Sequence, residues 1–168
     1  MPCAFYESPL GWIKIVANQQ GIIKIDFTHP QDYEALTDQQ SLPWIKGSQD
    51  DTPLGKCIIQ LQEYFLNKRK IFDLPLKLSG TDFQKSVWLA LKEIPHGKTI
   101  SYQKIAKQAG YPLAHRAAAN AIAANPLSIV LPCHRVVLSS GRIGGYAWGE
   151  DKKQWLLKHE KTINHEIA

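Results

Sequence analysis

The residues best suited to chemistry stand together at Pro132-Cys133-His134-Arg135, between a short apolar run and a basic segment. A free cysteine has a pKa of about 8.5, so only a few per cent of it is the nucleophilic thiolate at pH 7. A neighbouring histidine can take the thiol proton, and a nearby positive charge stabilises the thiolate. A lone cysteine is more often a buried apolar residue, but these neighbours favour a reactive nucleophile.

A base beside a nucleophilic cysteine usually needs a third group that holds it in position. Glu160, at the end of the last helical pattern, is the candidate for that group; the alternative is a surface carboxylate. Neighbouring residues of a straight strand point to opposite sides. The bend indicated by Pro132 would allow Cys133 and His134 to share one pocket, as nucleophilic catalysis requires.

The remaining cysteines and the composition exclude several classes of protein. Cys57, on the apolar face of a predicted helix, and Cys3 are interpreted as buried apolar residues. Three scattered cysteines are too few for a disulfide framework, and no CxxC motif indicates a metal site. The chain lacks both a secretory signal pattern and an apolar run of the roughly 18–20 residues of a membrane span. We therefore expect a cytoplasmic protein with reduced thiols, no cofactor and no membrane contact.

Charge is distributed unevenly along the 168 residues, whose net charge is +5. Residues 1–80 carry 8 Lys+Arg and 9 Asp+Glu, a net −1, whereas residues 81–168 carry 12 and 6, a net +6. Residues 94–149 contain no Asp or Glu. Such a positive field favours an anionic partner, DNA or RNA first, with binding that weakens as salt rises. A solvated basic face without a partner is the alternative.

The second half of the chain reads as mostly helical around Cys133. Its centre is a helix-turn-helix pattern, in which Ser101 caps a helix over 102–109 and a second helix follows over 113–124. Helices are also predicted over 81–94 and 151–160, and short strands over 98–100, 128–131 and 136–138.

The second helix of this pattern presents unusually small side chains. Its expected buried stripe consists of Ala114, Ala117, Ala118, Ala121 and Ile122. The opposite face presents His115, Arg116, Ala119, Asn120 and Ala123. A helix that reads bases in the major groove normally carries several long polar side chains. An alanine-lined face instead favours close contact in the minor groove with little sequence readout; an ordinary packed, alanine-rich helix is the alternative.

The first part of the chain reads as a small antiparallel sheet followed by a helix. Strands are predicted over 4–7, 12–17 and 21–28, and a helix that begins at Pro53 is predicted over 53–67. A linker region around 72–78 separates this part from the helical one. We therefore expect two domains, residues 1–78 and residues 79–168.

Several segments of the second part resemble the O6-alkylguanine-DNA alkyltransferases. The run from Pro132 to Val137 (PCHRVV) resembles the active-site signature of that family. Similar segments occur in order across residues 81–161: IPHGKTISY at 94–102, AHRA at 114–117, Asn125-Pro126, Gly145-Tyr146 and WLLKHE at 155–160. The resemblance implies an N-terminal α/β domain resembling RNase H, followed by a mostly helical winged-helix-like domain. It also implies DNA repair by direct reversal, with one irreversible alkyl transfer per molecule.

The resemblance implies a chemical role for each matching residue. Cys133 accepts the alkyl group, His134 acts as the base through a water molecule, and Glu160 orients His134. Tyr102 supplies a proton or hydrogen bond to the leaving guanine, with a helix-packing aromatic as the alternative. Asn125 is the turn residue between the second helix and the active-site segment.

The resemblance further implies how DNA is held. Arg116 enters the base stack as the damaged guanine leaves the duplex, a step that the weakened pairing of the lesion makes easier. Ala119, Asn120, Ala123 and Tyr102 contact the DNA, and the base pocket is formed by Val136, Tyr146, Ala147 and Trp148. The implied partner is double-stranded DNA with O6-methylguanine, or secondarily O4-alkylthymine, bound through the minor groove by a monomer.

Trp148 departs from the family, many of whose members have glycine there. We expect its indole to narrow the pocket, so that methyl transfers much faster than benzyl-sized groups. Arg135 is expected to be structural or to face phosphate. Two other functions fit the same residues: a winged-helix protein that binds damaged DNA without chemistry, and a Cys-His-Glu hydrolase that turns over repeatedly.

Overall fold

The structure, a computed structural model, describes residues 3–29, residue 31 and residues 51–160. It divides into two units, residues 1–78 and residues 79–168. Among the described residues, no helix is long and apolar enough to cross a membrane. All the candidate site residues lie in the second unit.

The first unit is built on a three-stranded antiparallel sheet. Strands β1 (Cys3–Ser8), β2 (Gly11–Asn18) and β3 (Gly21–Phe27) pair in chain order. Alternate residues of β2 are buried, because successive side chains of a strand point to opposite faces. Helix α1 (Pro53–Phe65) packs its apolar side on this sheet. The predicted strands and helix are confirmed, with only small shifts of their ends.

Gly21 allows a later segment to join the edge of the sheet. Ile22 donates a backbone hydrogen bond of 2.7 Å to the Pro75 carbonyl and accepts one of 2.8 Å from Lys77. A Cβ atom on Gly21, whose φ is +148°, would lie 2.4 Å from the Pro75 carbonyl oxygen. Glycine is required there, because both the backbone angle and the close approach disfavour a side chain.

Replacing Gly21 with alanine is expected to cost about 1–3 kcal/mol more stability than replacing Gly11, because it adds a clash with the backbone. Gly11 is a matched control: its φ is +108°, but a Cβ atom there meets nothing within 4 Å. Urea denaturation followed by circular dichroism gives the free energy of unfolding of each variant. Equal losses of unfolding free energy in the Gly21 and Gly11 variants would contradict a role for the close contact with Pro75.

Within its described residues, 79–160, the second unit arranges four α-helices around a two-residue pair of parallel strands. Strand β4 (Ile100–Ser101) pairs with β5 (Val136–Val137), so that β4 lies slightly later than the predicted strand at 98–100. The helices are α2 (Asp82–Lys92), α3 (Tyr102–Gln108), α4 (His115–Ala123) and α5 (Glu150–His159). All four were predicted, although α4 begins two residues later than expected and α5 ends one residue before Glu160.

Helices α3 and α4 form the predicted helix-turn-helix. The Ser101 hydroxyl accepts a hydrogen bond of 3.2 Å from the backbone N–H of Lys104, which confirms Ser101 as the cap of α3. Helix α4 packs on α2 and α3. The indole N–H of Trp88, on α2, donates a hydrogen bond of 2.8 Å to the Ala121 carbonyl and fixes this contact.

The buried stripe of α4 is narrower than predicted. Ala118, Ala121 and Ile122 are buried as expected, but Ala117 is exposed and Ala114 is half-buried. The helix has only nine residues and contacts its neighbours along one side. Ala117 lies at the edge of that side and joins the exposed, small-sided face.

The strand predicted over 128–131 is wrong. These residues are buried, but they form a coiled turn in which Ile129 has a φ of +72°. Their backbone groups pair locally: Val130 donates to the Ser128 carbonyl at 2.8 Å, and Leu131 donates to the Leu127 carbonyl at 2.9 Å. Buried apolar residues therefore do not require a sheet here, because the turn satisfies its own backbone groups.

Candidate active site

Cys133 lies at the start of a single turn of 3₁₀ helix, Cys133–Arg135, that follows Pro132. Its backbone N–H donates a hydrogen bond of 2.7 Å to the Leu131 carbonyl, which closes the entry to this turn. The turn supplies the bend that was predicted from Pro132. Both Cys133, which is 5% exposed, and His134, which is fully buried, are held inside the unit.

Cys133 lines a cavity of about 280 Å³. The other lining residues come from α3, from α4 and from the loop before α5: Tyr102, Ala119, Ile122, Ala123, Gly145, Tyr146 and Ala147. The small face of α4 therefore forms one wall of the pocket. Val136 and Trp148, both expected in the pocket, are not among these lining residues. Val136 is buried in β5. The indole N–H of Trp148 donates a hydrogen bond to the Ser128 hydroxyl.

Asn125 connects the end of α4 to the segment that carries Cys133. Its amide nitrogen donates a hydrogen bond of 2.8 Å to the Leu131 carbonyl, and its amide oxygen accepts one of 2.9 Å from the Leu127 N–H. The amide also hydrogen-bonds the Cys133 thiol, where it lowers the thiol pKa. Asn125 thus shapes the turn before Cys133, as the resemblance implied, and contacts the nucleophile as well.

Burial decides the protonation state of the Cys133 thiol. Burial raises its pKa, because the charged thiolate loses its water. The Asn125 amide, the positive charge of Lys153 and the backbone N–H groups of Cys133 and His134 lower the pKa without reversing the shift. The absence of acids nearby in the sequence therefore does not by itself produce a thiolate. Cys133 needs a base.

His134 has the geometry of that base. Burial lowers its pKa, against the opposing effect of Glu160, so the ring is neutral near pH 7. Its Nε2 lies 2.7 Å from Oε1 of Glu160. Because a carboxylate can only accept, the proton of the neutral ring belongs on Nε2. The other nitrogen, Nδ1, is buried and has no hydrogen-bond partner among the described residues, so its lone pair can accept a proton.

Arg135 fixes the position of the Glu160 carboxylate, which in turn orients His134. Its Nε and one terminal nitrogen donate to the two oxygens of Glu160 at 2.9 Å and 2.8 Å, and the other terminal nitrogen donates to the Ile94 carbonyl at 2.7 Å. Burial raises the pKa of Glu160, but His134 and Arg135 outweigh it and keep that pKa well below its usual range. Of the two roles expected for Arg135, the structure assigns the structural one, because its guanidinium is buried on Glu160 rather than offered to phosphate.

Lys153 is a site residue that the sequence analysis missed. It is fully buried, and its ammonium donates hydrogen bonds of 2.6 Å to the Val136 carbonyl and 3.0 Å to the Gly145 carbonyl. Burial lowers its pKa to about 8, while Cys133 and Glu150 oppose the shift. Lys153 is thus charged below about pH 8 and adds a positive charge beside the thiol.

The signal for Lys153 was present in the helical periodicity. Lys153, Leu156, Leu157 and Glu160 follow i, i+3, i+4 and i+7 spacing and are all buried. A lysine on the apolar stripe of a helix is unusual, because burial of an ammonium is costly without partners. The buried stripe of α5 and its C-cap residue therefore include two charged residues of the site, Lys153 and Glu160.

Replacing Lys153 with methionine is expected to raise the Cys133 pKa further and to slow the alkyl transfer that the resemblance implies by roughly tenfold or more, because the thiolate loses a neighbouring charge. Titration of thiolate absorbance, with the same variant lacking Cys133 as the blank, measures the pKa. Lys153→Arg keeps the charge and is the matched control. An unchanged thiol pKa in Lys153→Met would contradict the electrostatic role.

Two tyrosines supply the polar groups of the otherwise apolar pocket wall. Burial raises the pKa of Tyr102, and Cys133 raises it further whenever it is a thiolate, so Tyr102 keeps its hydroxyl proton. Burial raises the pKa of Tyr146 still further, and its hydroxyl has no hydrogen-bond partner within the described ranges. Both tyrosines can donate a hydrogen bond to a group that enters the cavity.

The remaining predicted residues lie on the outer surface of α4. Arg116 and Asn120 are exposed and Ala123 is exposed beside the cavity. Arg116 makes no ion pair with any residue that the structure describes. The guanidinium is thus available to a partner at the same face that leads to Cys133.

Comparisons with known proteins cover both units. A family model described as the ribonuclease-like domain of 6-O-methylguanine DNA methyltransferase matches residues 1–78, and the model of its DNA binding domain matches residues 82–162. These matches confirm the expected order of an RNase H-like domain followed by a DNA-binding domain.

Individual relatives agree along almost the whole chain. The methylated-DNA–protein-cysteine methyltransferase of Methanosarcina acetivorans is 40% identical over 157 residues, which are 94% of this chain and 96% of that protein. The protein of that name from Mycolicibacterium paratuberculosis is 49% identical over 156 residues, 92% of this chain and 89% of its own. A crystal structure of Mycobacterium tuberculosis OGT in complex with DNA has a TM-score of 0.81 and 33% identity, and the match covers 100% of this chain and 96% of that one. The chain belongs to the 6-O-methylguanine DNA methyltransferase family.

Proposed function

We propose that this chain repairs DNA by direct reversal and that Cys133 is the acceptor of the alkyl group. The observation that carries the proposal is a protonated, buried thiol in an apolar cavity, next to a neutral histidine whose Nδ1 has no hydrogen-bond partner in the part of the chain that the structure describes. The names of the relatives, methylated-DNA–protein-cysteine methyltransferases, describe the same chemistry. The proposed substrate is O6-methylguanine in double-stranded DNA.

The proposed reaction begins with proton transfer from the Cys133 thiol to Nδ1 of His134, through a water molecule as the family resemblance implies. Glu160 stabilises the imidazolium that forms. The thiolate sulfur attacks the alkyl carbon, a C–S bond forms, and the bond from that carbon to O6 of guanine breaks. The Tyr102 hydroxyl donates a hydrogen bond or proton to the leaving guanine, which would otherwise depart as an anion.

The product explains why each molecule acts once. The new thioether has no good leaving group, and neither water nor a described side chain of the pocket activates it for cleavage. A hydrolase would instead form a thioester, which water can cleave. The site therefore favours a stoichiometric acceptor over repeated turnover.

The face of α4 supports a minor-groove approach. Ala119 and Ala123 line the cavity, so the helix that contacts DNA also forms the entrance to the pocket. The target atom is inaccessible inside a duplex, so the base must be flipped out. We propose that the exposed Arg116 fills the gap in the stack and that Asn120 contacts the neighbouring backbone. We further propose that the chain acts as a monomer in the cytoplasm.

Mass spectrometry of the Cys133 peptide tests the proposal. After the protein is mixed with duplex DNA that carries O6-methylguanine, we expect a gain of one CH2 unit on Cys133, with one methyl per protein molecule. A folded protein that binds this DNA but shows no mass gain would support damage recognition without chemistry. Methyl loss from DNA in excess of the protein would support a hydrolytic activity.

A further inference from the structure

The turn at residues 95–98 lies against the end of α5 that carries Glu160. Lys98 donates a backbone hydrogen bond of 3.1 Å to the Pro95 carbonyl, and Gly97, the third residue of the turn, has a φ of +80°. A hydrogen-bonded turn whose third residue has a positive φ is of type II, which favours glycine at that position. The turn therefore has a defined shape before strand β4 begins.

Gly97 makes a close approach to the backbone of Glu160. A Cβ atom on Gly97 would lie 3.2 Å from the Glu160 carbonyl oxygen, so a side chain there would displace that backbone by a few tenths of an ångström. On its other side, Glu160 is held by α5, because its backbone N–H donates to the Leu156 carbonyl at 3.0 Å. The helix and the turn together determine where the Glu160 backbone lies.

The segment that forms the turn also holds the second partner of the carboxylate. The Ile94 carbonyl, just before the turn, accepts a hydrogen bond of 2.7 Å from Arg135, whose guanidinium donates to both oxygens of Glu160. Oε1 of Glu160 lies 2.7 Å from Nε2 of His134. Charge-assisted hydrogen bonds are short and sensitive to geometry. A small displacement of Glu160 would therefore weaken its contact with His134.

We propose that Gly97 is a positioning residue for the transfer reaction: without a side chain, it lets the turn fix Glu160 where the carboxylate best supports His134 as the base. The inference rests on the proposed alkyl transfer to Cys133. Gly97 is not among the residues that line the cavity, and it acts only through Glu160.

The expected defect depends on pH, which distinguishes positioning from a general loss of structure. When the Cys133 proton passes to His134, an imidazolium forms, and a displaced Glu160 stabilises it less. As the pH rises towards the pKa of the thiol, hydroxide removes the proton instead, and the position of Glu160 matters less.

Single-turnover transfer from a duplex with O6-methylguanine, measured from pH 6 to pH 9.5, tests the proposal. In Gly97→Ala, we expect transfer about fivefold slower than in the unaltered chain at pH 7, narrowing to about twofold at pH 9.5. Gly11→Ala is the matched control. Gly11 lies in the other unit, has a φ of +108° and would place a Cβ atom within 4 Å of nothing. Its transfer should stay within about twofold at every pH.

Two further variants make the test specific. Asparagine tolerates a positive φ but carries a Cβ atom, so Gly97→Asn should show the same pH-dependent defect even where Gly97→Ala does not fold. Adding Gly97→Ala to Glu160→Gln should slow transfer little beyond Glu160→Gln alone, because both changes act on the same contact with His134.

Several results would overturn the proposal. They are equal slowing at every pH, an unchanged rate in folded Gly97→Ala or Gly97→Asn, and additive effects in the double variant. Loss of the fold in both Gly97 variants, detected by circular dichroism, would make the role of Gly97 structural and would also overturn it. Failure of the unaltered chain to transfer methyl would instead refute the proposed function.

Discussion

Replacing Cys133 with serine is expected to slow alkyl transfer by at least about a thousandfold, because a hydroxyl is a far weaker nucleophile than a thiolate. The substitution is nearly isosteric at a residue that is 5% exposed, so DNA binding should be unchanged. Single-turnover transfer and a binding titration with the same methylated duplex separate the two effects. This variant is expected to hold damaged DNA without repairing it.

Cys3→Ser is the matched control for this result, since Cys3 is a half-buried thiol of the other unit. It should retain full transfer. Substantial transfer by Cys133→Ser, or a methyl group recovered on Cys3 or Cys57, would contradict the assignment of Cys133. A protein that had simply lost its fold would also lose DNA binding, which the titration detects.

Replacing Glu160 with alanine is expected to have the largest effect on stability, a loss of about 3–5 kcal/mol, because it leaves the buried Arg135 without its counter-ion. Both the His134 and Glu160 side chains are fully buried, and that of Arg135 is 7% exposed. Transfer should fall by at least about a hundredfold, since His134 loses the group that orients and stabilises it. Urea denaturation and single-turnover rates measure the two losses.

Glu160→Gln separates charge from shape. It keeps an oxygen for Arg135 and nearly the same volume, so it should cost less stability than Glu160→Ala but still slow transfer. Transfer at the unaltered rate in folded Glu160→Gln would contradict the role of the carboxylate charge.

The low pKa of Glu160 also makes the free energy of unfolding depend on pH. Because the folded-state pKa lies below the unfolded value of about 4.3, the carboxylate contributes stability above that value. The contribution decreases as the pH falls below it and towards the folded-state pKa. Unaltered protein should therefore lose stability in acid more steeply than Glu160→Gln.

Much of the site could be predicted from sequence, because the residues proposed to carry its chemistry are adjacent in the chain or lie on helices with clear apolar spacing. Cys133 and His134 are adjacent, and caps and apolar spacing define α3 and α4. The partners of Arg135 were not predictable in the same way, because Ile94 and Glu160 are distant in the chain. Side-chain hydrogen bonds of this range leave no spacing pattern.

The errors have equally specific causes. The turn at 128–131 contains the left-handed Ile129, and an apolar β-branched residue carries no sequence signal for that conformation. Lys153 was overlooked because lysine is normally exposed, although the stripe of α5 included it. Trp148 is not among the residues that line the cavity, and nothing in the sequence indicates that its N–H reaches Ser128; its place in the base pocket stays a prediction.

The two-residue pairing of β4 with β5 has a consequence for insertions and deletions. Tyr102 follows β4 directly and Cys133 precedes β5 by three residues, so one short ladder helps to set the separation of the proposed proton donor and the proposed nucleophile. A slip of one residue would displace Tyr102 by about 3.3 Å and reverse the side to which each strand residue points. An insertion or deletion between Gly97 and Tyr102 should therefore slow alkyl transfer more than most substitutions within that segment.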